Sequence, residues 1–178
     1  MYLKKGKKSA ENFNIFYSSY YMKKILTLCM IHSDGKILLG LKKKGFGVGR
    51  WNGFGGKVEQ GESIEDAARR EVLEEAGIKV TDMYKAGVLN FSFENDPKIL
   101  EVHVFSASTF TGEPTESDEM KPKWFDIKDI PYEQMWSDDS HWLPLLLNGK
   151  KFNGSFLFDR PSDETHPGKI ITKDLKVI

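Results

Sequence analysis

The stretch from Gly56 to Ile78 constrains this chain most, because it reads as a loop feeding one amphipathic helix. Ser63, with Asp66 three residues on, is a capping-box-like start. Gly77 sits where a left-handed helix cap falls. Between them Glu71, Glu74 and Glu75 stand at i, i+3 and i+4, so their carboxylates share a face. Ala68, Val72 and Ala76 form an adjacent apolar stripe able to pack inward. Arg69 and Arg70 are expected to point away from the glutamates. Three like charges on one face repel by about a few tenths of a kcal/mol per pair. A hard divalent cation removes that repulsion, and Mg2+ commonly bridges carboxylates to substrate phosphates. A bare E-x-x-E-E would be a solvated acidic face; the length of the pattern around it argues for a site.

The 178 residues suit one domain with a real core. The formal net charge of zero argues against a long nucleic-acid polymer as ligand, since such binding rests on clustered Lys and Arg. A small phosphorylated ligand needs only local positive charge. Cys29 is the single cysteine, so no disulfide can form within the chain. Lying in an apolar run, it is expected in the core. No stretch approaches the roughly twenty apolar residues of a membrane span, so no membrane partner is expected.

Residues 1–22 carry Lys4, Lys5, Lys7 and Lys8 without an apolar h-region, and read as a flexible N-terminal extension rather than a secretory signal. The segment also lacks the arginines of a mitochondrial presequence. Residues 23–178 read as the folded domain. Ile25 to His32 is a buried strand, Asp34-Gly35 a hairpin turn, and Ile37 to Leu41 the return strand. The glycine-rich run from Gly45 to Lys57 fits neither the dinucleotide fingerprint nor the P-loop. Gly45, Gly47 and Gly49 have the wrong spacing for the first. Trp51 and Val58 fall where the second needs Gly and Ser or Thr. The run reads instead as backbone that approaches a ligand closely.

Beyond the helix, Met83 to Phe93 and Ile99 to Ala107 read as strands around an Asn95-Asp96-Pro97 turn, with Phe91 and Phe93 on one face. Thr111 to Pro122 reads as loop, Lys123 to Ile127 as a short strand, and Pro131 to Leu147 as a turn and helix. Phe152 to Phe158 is a strand or hairpin arm with Asn153-Gly154 as its turn. Pro161 to Gly168 is loop and Ile170 to Ile178 a closing strand. The pattern predicts an α/β, or α+β, mixed sheet with helices on its faces.

A second constellation runs from Trp136 to Trp142. Two adjacent acids between tryptophans ordinarily mark a surface helix start, capped by Ser137 or Asp138. The functional reading is purine recognition. Guanine offers an acceptor at O6 and donors at N1 and N2. Two close carboxyls in a partly apolar pocket raise one another's affinity for a proton. One aspartate then donates and the other accepts, and moving the proton lets the pair read a different purine edge. Trp136 can stack on the base.

Gly56, Glu62, Arg70-Glu71, Glu74-Glu75 and Gly77 before Ile78 fill the fixed positions of the Nudix box, and the chain resembles the Nudix hydrolases. Residues 39–57, 116–120 and 136–140 look like a narrower group, the eukaryotic hydrolases of oxidised purine nucleoside triphosphates. The resemblance covers about residues 24–178. It implies the Nudix fold, a mixed sheet sandwiched between helices. It implies hydrolysis of 8-oxo-dGTP and 2-hydroxy-dATP to the monophosphate and pyrophosphate, which sanitises the nucleotide pool. The cofactor implied is Mg2+, with Mn2+ as a substitute. The partner implied is a small-molecule nucleoside triphosphate, the protein a monomer, and its place the cytoplasm, with mitochondrion or nucleus also open.

Position by position, the resemblance implies Glu71, Glu74 and Glu75 as catalytic carboxylates that hold the metal together with the Gly55 region carbonyl and Glu119. It assigns Asn52, Asp138 and Asp139 to the purine edge, and Thr27 and Lys42 to the nucleotide pocket. Phe46, Phe91 and Trp136 form apolar walls. Phe54, Gly55, Gly56, Lys57 and Ser137 complete the expected substrate contacts. The general base is one of Glu74, Glu75 and Glu119. Arg70 is expected to anchor the loop to the helix through a glutamate. Leu100 replaces a methionine of the mammalian enzyme. Two rivals are a Nudix hydrolase of another nucleoside diphosphate derivative and a non-catalytic nucleotide sensor. The intact box glutamates argue against the sensor.

Overall fold

The computed structural model describes residues 22–161 and 168–178. The expected flexible extension therefore lies outside the described residues, apart from Met22, which opens the first strand. Most of the loop expected over 161–168 lies outside them too.

Strand β1 spans Met22–Ser33 and β2 spans Lys36–Lys42. Asp34 (φ 50°) and Gly35 (φ 74°) join them, both left-handed, as a two-residue hairpin turn requires. Then come β3 (Trp51–Asn52), helix α1 (Ile64–Ala76) and β4 (Lys79–Val80). They are followed by β5 (Tyr84–Phe93), β6 (Asp96–Ala107), β7 (Phe110–Thr111) and β8 (Met120–Asp126). Two short 3-10 turns lead to helix α2 (Asp139–Leu147), and β9 (Phe152–Phe158) and β10 (Ile170–Val177) close the described chain.

Among the described residues the main sheet orders its strands β10-β9-β5-β6-β1-β2-β3, with β8 also paired to β2. It is mixed: β1 with β6 and β5 with β9 run parallel, the other pairs antiparallel. β4 and β7 form a separate ribbon. Both faces are buried, as the nearly continuous apolar run of β1 requires. Cys29 and Ile31 point to a core shared with Ala68, Val72 and Ala76 of α1; Met30 points to the opposite core, shared with Trp142, Leu143 and Leu146 of α2. The chain is thus the expected sheet between helices. Among the described residues no helix is long and apolar enough to cross a membrane.

Three local expectations are corrected. Asp96 and Pro97 belong to β6, and the turn is tighter, with Asn95 at φ 59° and Phe93 opposite Asp96. Asn153-Gly154 is no turn: β9 runs straight through, paired to β5 on one side and β10 on the other. A Cβ on Gly154 would come within 2.9 Å of Leu175 Cδ1 and 3.0 Å of Leu89 Cδ2, so those side-chain ends would have to shift. Finally, β8 begins at Met120, inside the expected loop, and Met120 pairs with Lys42.

Candidate active site

The glycine-rich run is laid against β1. Thr27 N donates to Gly56 O at 2.8 Å, and Cys29 and Phe54 exchange backbone bonds of 2.7 and 3.0 Å. Two glycines allow this. A Cβ on Gly55 would collide with the Thr27 backbone, and one on Gly56 with the Glu71 carboxylate. The run thereby meets α1, whose start and stop are as expected. Ser63 Oγ accepts from Asp66 N at 3.1 Å, and Gly77 caps the end at φ 71°.

The acidic face divides by burial. Glu75 is 3% exposed, and its two oxygens accept from Gly55 N at 2.9 Å and Lys42 Nζ at 3.0 Å. Lys42 Nζ also donates to Glu119 Oε2 at 3.1 Å, drawing the β7–β8 loop onto the helix. Glu71 is half-buried and Glu74 exposed. Contrary to the expectation from the helix alone, Arg70 points toward the glutamates. Its fork donates to Glu62 (2.7 and 3.1 Å), Glu71 Oε1 (2.9 Å), Glu74 Oε2 (3.2 Å) and Lys57 O (3.1 Å). The loop curls back over the first turns of α1 and brings these acceptors within its reach, so the anchoring role holds. Arg69 does point away, to Val80 O at 2.7 Å.

Burial pushes the Glu71 and Glu75 carboxyls up, while Lys42 pulls Glu119 down. Burial alone would lower Lys42; the two carboxylates outweigh it and raise it. Among the described residues no three acidic or histidine side chains already converge as a metal cage. The donor chemistry nevertheless fits a hard cation. Glu75 and Glu119 already share one positive group, the Lys42 ammonium, and Gly56 leaves room for the Glu71 carboxylate.

One cavity of about 1120 Å³ runs from this acidic end to a second polar end. There Asp138 and Asp139 open α2 but are 5% and 1% exposed, so the helix start is buried rather than on the surface, and Asp138 makes no side-chain capping bond. Asp138 Oδ2 accepts from the Trp142 indole Nε1–H at 2.9 Å, and Asp139 Oδ2 from Trp136 N at 3.0 Å. Burial raises both. Asp138 reaches about 6, and Asp139, with Asp138 beside it, lies well above its ordinary value. Phe91, Phe93, Leu100, Val102 and Phe158 line the apolar wall between the ends. At the mouth Phe46, 61% exposed, stacks on Trp136 with centroids 4.9 Å apart, and Arg50 lies over the same ring system at 4.8 Å.

Thr27, Lys42, Phe46, Asn52, Gly55, Gly56, Lys57, Phe91, Trp136, Asp138 and Asp139 all line this cavity, as do Glu71, Glu74, Glu75 and Glu119. Phe54 and Ser137 do not. Phe54 is fully buried in the α1-side core, because in the extended run alternate side chains face into the sheet. Ser137 is exposed, with Oγ donating to Gly168 O at 3.5 Å. Trp142 and Phe158 were missed as lining residues. The i, i+4 spacing of Asp138 and Trp142 on a helix was the available signal for the first.

Comparison with known proteins narrows what this cavity is. A family model described as NUDIX domain matches residues 22–146. The zebrafish (Danio rerio) oxidized purine nucleoside triphosphate hydrolase is 53% identical over 138 residues, covering 78% of this chain and 88% of that one. The mouse (Mus musculus) protein of the same description is 52% identical over 135 residues, covering 76% and 86%. Among solved structures, a mutator MutT protein from Bacillus halodurans superposes with a TM-score of 0.71 at 26% identity, covering 85% of this chain and 97% of that one.

Proposed function

The chain belongs to the NUDIX family, and from that premise we propose that it hydrolyses oxidised purine nucleoside triphosphates to the monophosphate and pyrophosphate. The observation that carries this reading is the pairing of two polar ends in one cavity. A carboxylate set backed by Lys42 stands at one end, and two buried adjacent aspartates stand at the other.

At the base end, Asp138 and Asp139 cannot both be ionised cheaply while buried and adjacent. One accepts from a purine N–H and the other, protonated, donates to an exocyclic oxygen. Asn52 adds a neutral amide on the same cavity, with its Oδ1 held by Gly53 N at 2.9 Å. Trp136 and Phe46 supply stacking surface, and Phe91 and Leu100 the apolar wall.

At the phosphate end, Glu71, Glu74, Glu75, Glu119 and the Gly55 carbonyl are the groups we assign to Mg2+, for which Mn2+ substitutes. When bound, the ion lowers the pKa of a water and offsets charge on the phosphates. Lys42 lies on the same cavity and provides a positive group for the triphosphate. A carboxylate among Glu74, Glu75 and Glu119 takes the proton of the attacking water. Arg70, which also lines the cavity, fixes Glu71 and Glu74 by its fork and locks the loop through Lys57 O.

The test is a hydrolysis panel with Mg2+: 8-oxo-dGTP, 2-hydroxy-dATP, dGTP and ADP-ribose, with products identified. Oxidised purines are expected to turn over well above dGTP and to give pyrophosphate. Glu75→Gln should abolish hydrolysis and spare nucleotide binding. Asp138→Asn should weaken oxidised purines far more than it alters phosphate handling. Turnover of ADP-ribose alone would keep the family's chemistry and discard the base pocket.

A further inference from the structure

We propose that Trp142 is a specificity-determining positioning residue: its indole N–H claims one oxygen of Asp138 and thereby decides which of the two aspartates accepts from the purine and which donates. This rests on the reading of Asp138 and Asp139 as the base-recognition pair.

The geometry isolates the role. Asp138 and Trp142 are four residues apart at the start of α2, so the helix itself sets the indole against the carboxylate. The bond is 2.9 Å long and wholly buried, with Trp142 1% exposed and its ring packed beside Phe152 at 5.9 Å. Asp138 Oδ2 is thereby engaged, and the Asp138 carboxyl also accepts from its own backbone N–H. Asp139 is engaged through its Oδ2 by the Trp136 backbone N–H. Both aspartates line the cavity.

The two donors differ in what a mutation can reach. A backbone N–H is present in every variant; the indole N–H is a side-chain choice. A donor to a carboxylate favours its charged, accepting form. The other charged or titratable groups acting on the pair are Arg50, which favours charge on Asp139, and Tyr132, whose field meets Asp139. His141, with Lys173 at 3.0 Å, lies on the same helix. The indole bond weights the pair toward charge on Asp138, against the Trp136 N–H and Arg50, which act on Asp139. Without it, the Trp136 N–H and Arg50 draw the charge to Asp139, and the pair presents the opposite donor and acceptor order to the purine.

The experiment replaces Trp142 by Phe, which keeps an aromatic ring against Phe152 and removes only the donor. Steady-state kinetics with 8-oxo-dGTP and 2-hydroxy-dATP are measured from pH 5 to pH 9. The expected result is a change of about tenfold in the ratio of the two kcat/KM values, the scale of one hydrogen bond to a charged group. It is carried by KM, with the pH dependence of KM displaced and kcat little changed. A uniform loss for both nucleotides, with an unmoved pH profile, would overturn the proposal and leave Trp142 a packing residue. Should the variant fail to fold, the wild-type indole N–H resonance of Trp142 serves. It is expected to titrate with a midpoint near the value of about 6 of Asp138; a resonance flat from pH 4.5 to pH 8 would overturn the proposal equally. Asp138→Asn separates the failures: if that change leaves base discrimination intact, the base pocket itself is misassigned.

Discussion

Lys42 Nζ lies 3.0 Å from Glu75 Oε1, a contact that ties the end of β2 to the acidic helix α1. The same ammonium reaches Glu119 at 3.1 Å, so residues from a strand, a helix and a loop meet on one positive charge. Neither carboxylate is near the other in sequence. Their convergence follows from β2 pairing with β8 while α1 packs across the sheet.

Lys42→Met should destabilise the metal-free protein by on the order of 2 kcal/mol, because it leaves a buried carboxylate short of a partner. For a chain of this length that is about 4–8 °C in Tm. Added Mg2+ should recover part of the loss, since a second cation can then neutralise Glu75 and Glu119. Thermal melts with EDTA and with Mg2+ check this; an equal deficit in both would mean that the carboxylates take no metal.

The buried aspartates give stability a specific pH dependence. The Asp138 carboxyl rises from its ordinary 3.8 to about 6. Between those values the folded state binds more protons than the unfolded state, so the contribution of Asp138 is full below about 4 and is lost as pH rises through about 6. Asp138→Asn keeps an acceptor for Trp142 and removes the charge. Its Tm relative to wild type should therefore improve as pH goes from 4.5 to 7.5. A difference constant across that range would contradict the buried-charge account.

Gly56→Ala should leave the fold largely intact and damage catalysis. The new Cβ collides with the Glu71 carboxylate, which must swing off the loop. Displacing a site carboxylate by about 1 Å is expected to lower kcat on the order of 10²-fold. Nucleotide affinity at the Asp138 end, on the far side of the cavity, should change little. Calorimetric titration of a nonhydrolysable nucleotide, run beside kinetics, separates the two effects.

Much of this protein was legible in its sequence because local rules governed it. Ser63 and Gly77 bounded the helix through hydrogen bonds made within a few residues of themselves. Asp34-Gly35 fixed a hairpin by backbone conformation alone. The Glu71, Glu74 and Glu75 spacing put three acids on one side of a helix before any packing was known. The tertiary structure decided which of them is buried. It sent Arg70 back across the loop, set Phe54 into the core and drew Asp138 and Asp139 inside. Those outcomes depend on where α1, α2 and the glycine-rich run land on the sheet, which no residue determines from its neighbours. The same applies to Lys42, whose partners lie 33 and 77 residues away. Periodicity and capping act over one or two turns, whereas burial and charge pairing act through space, and only the assembled sheet sets those distances.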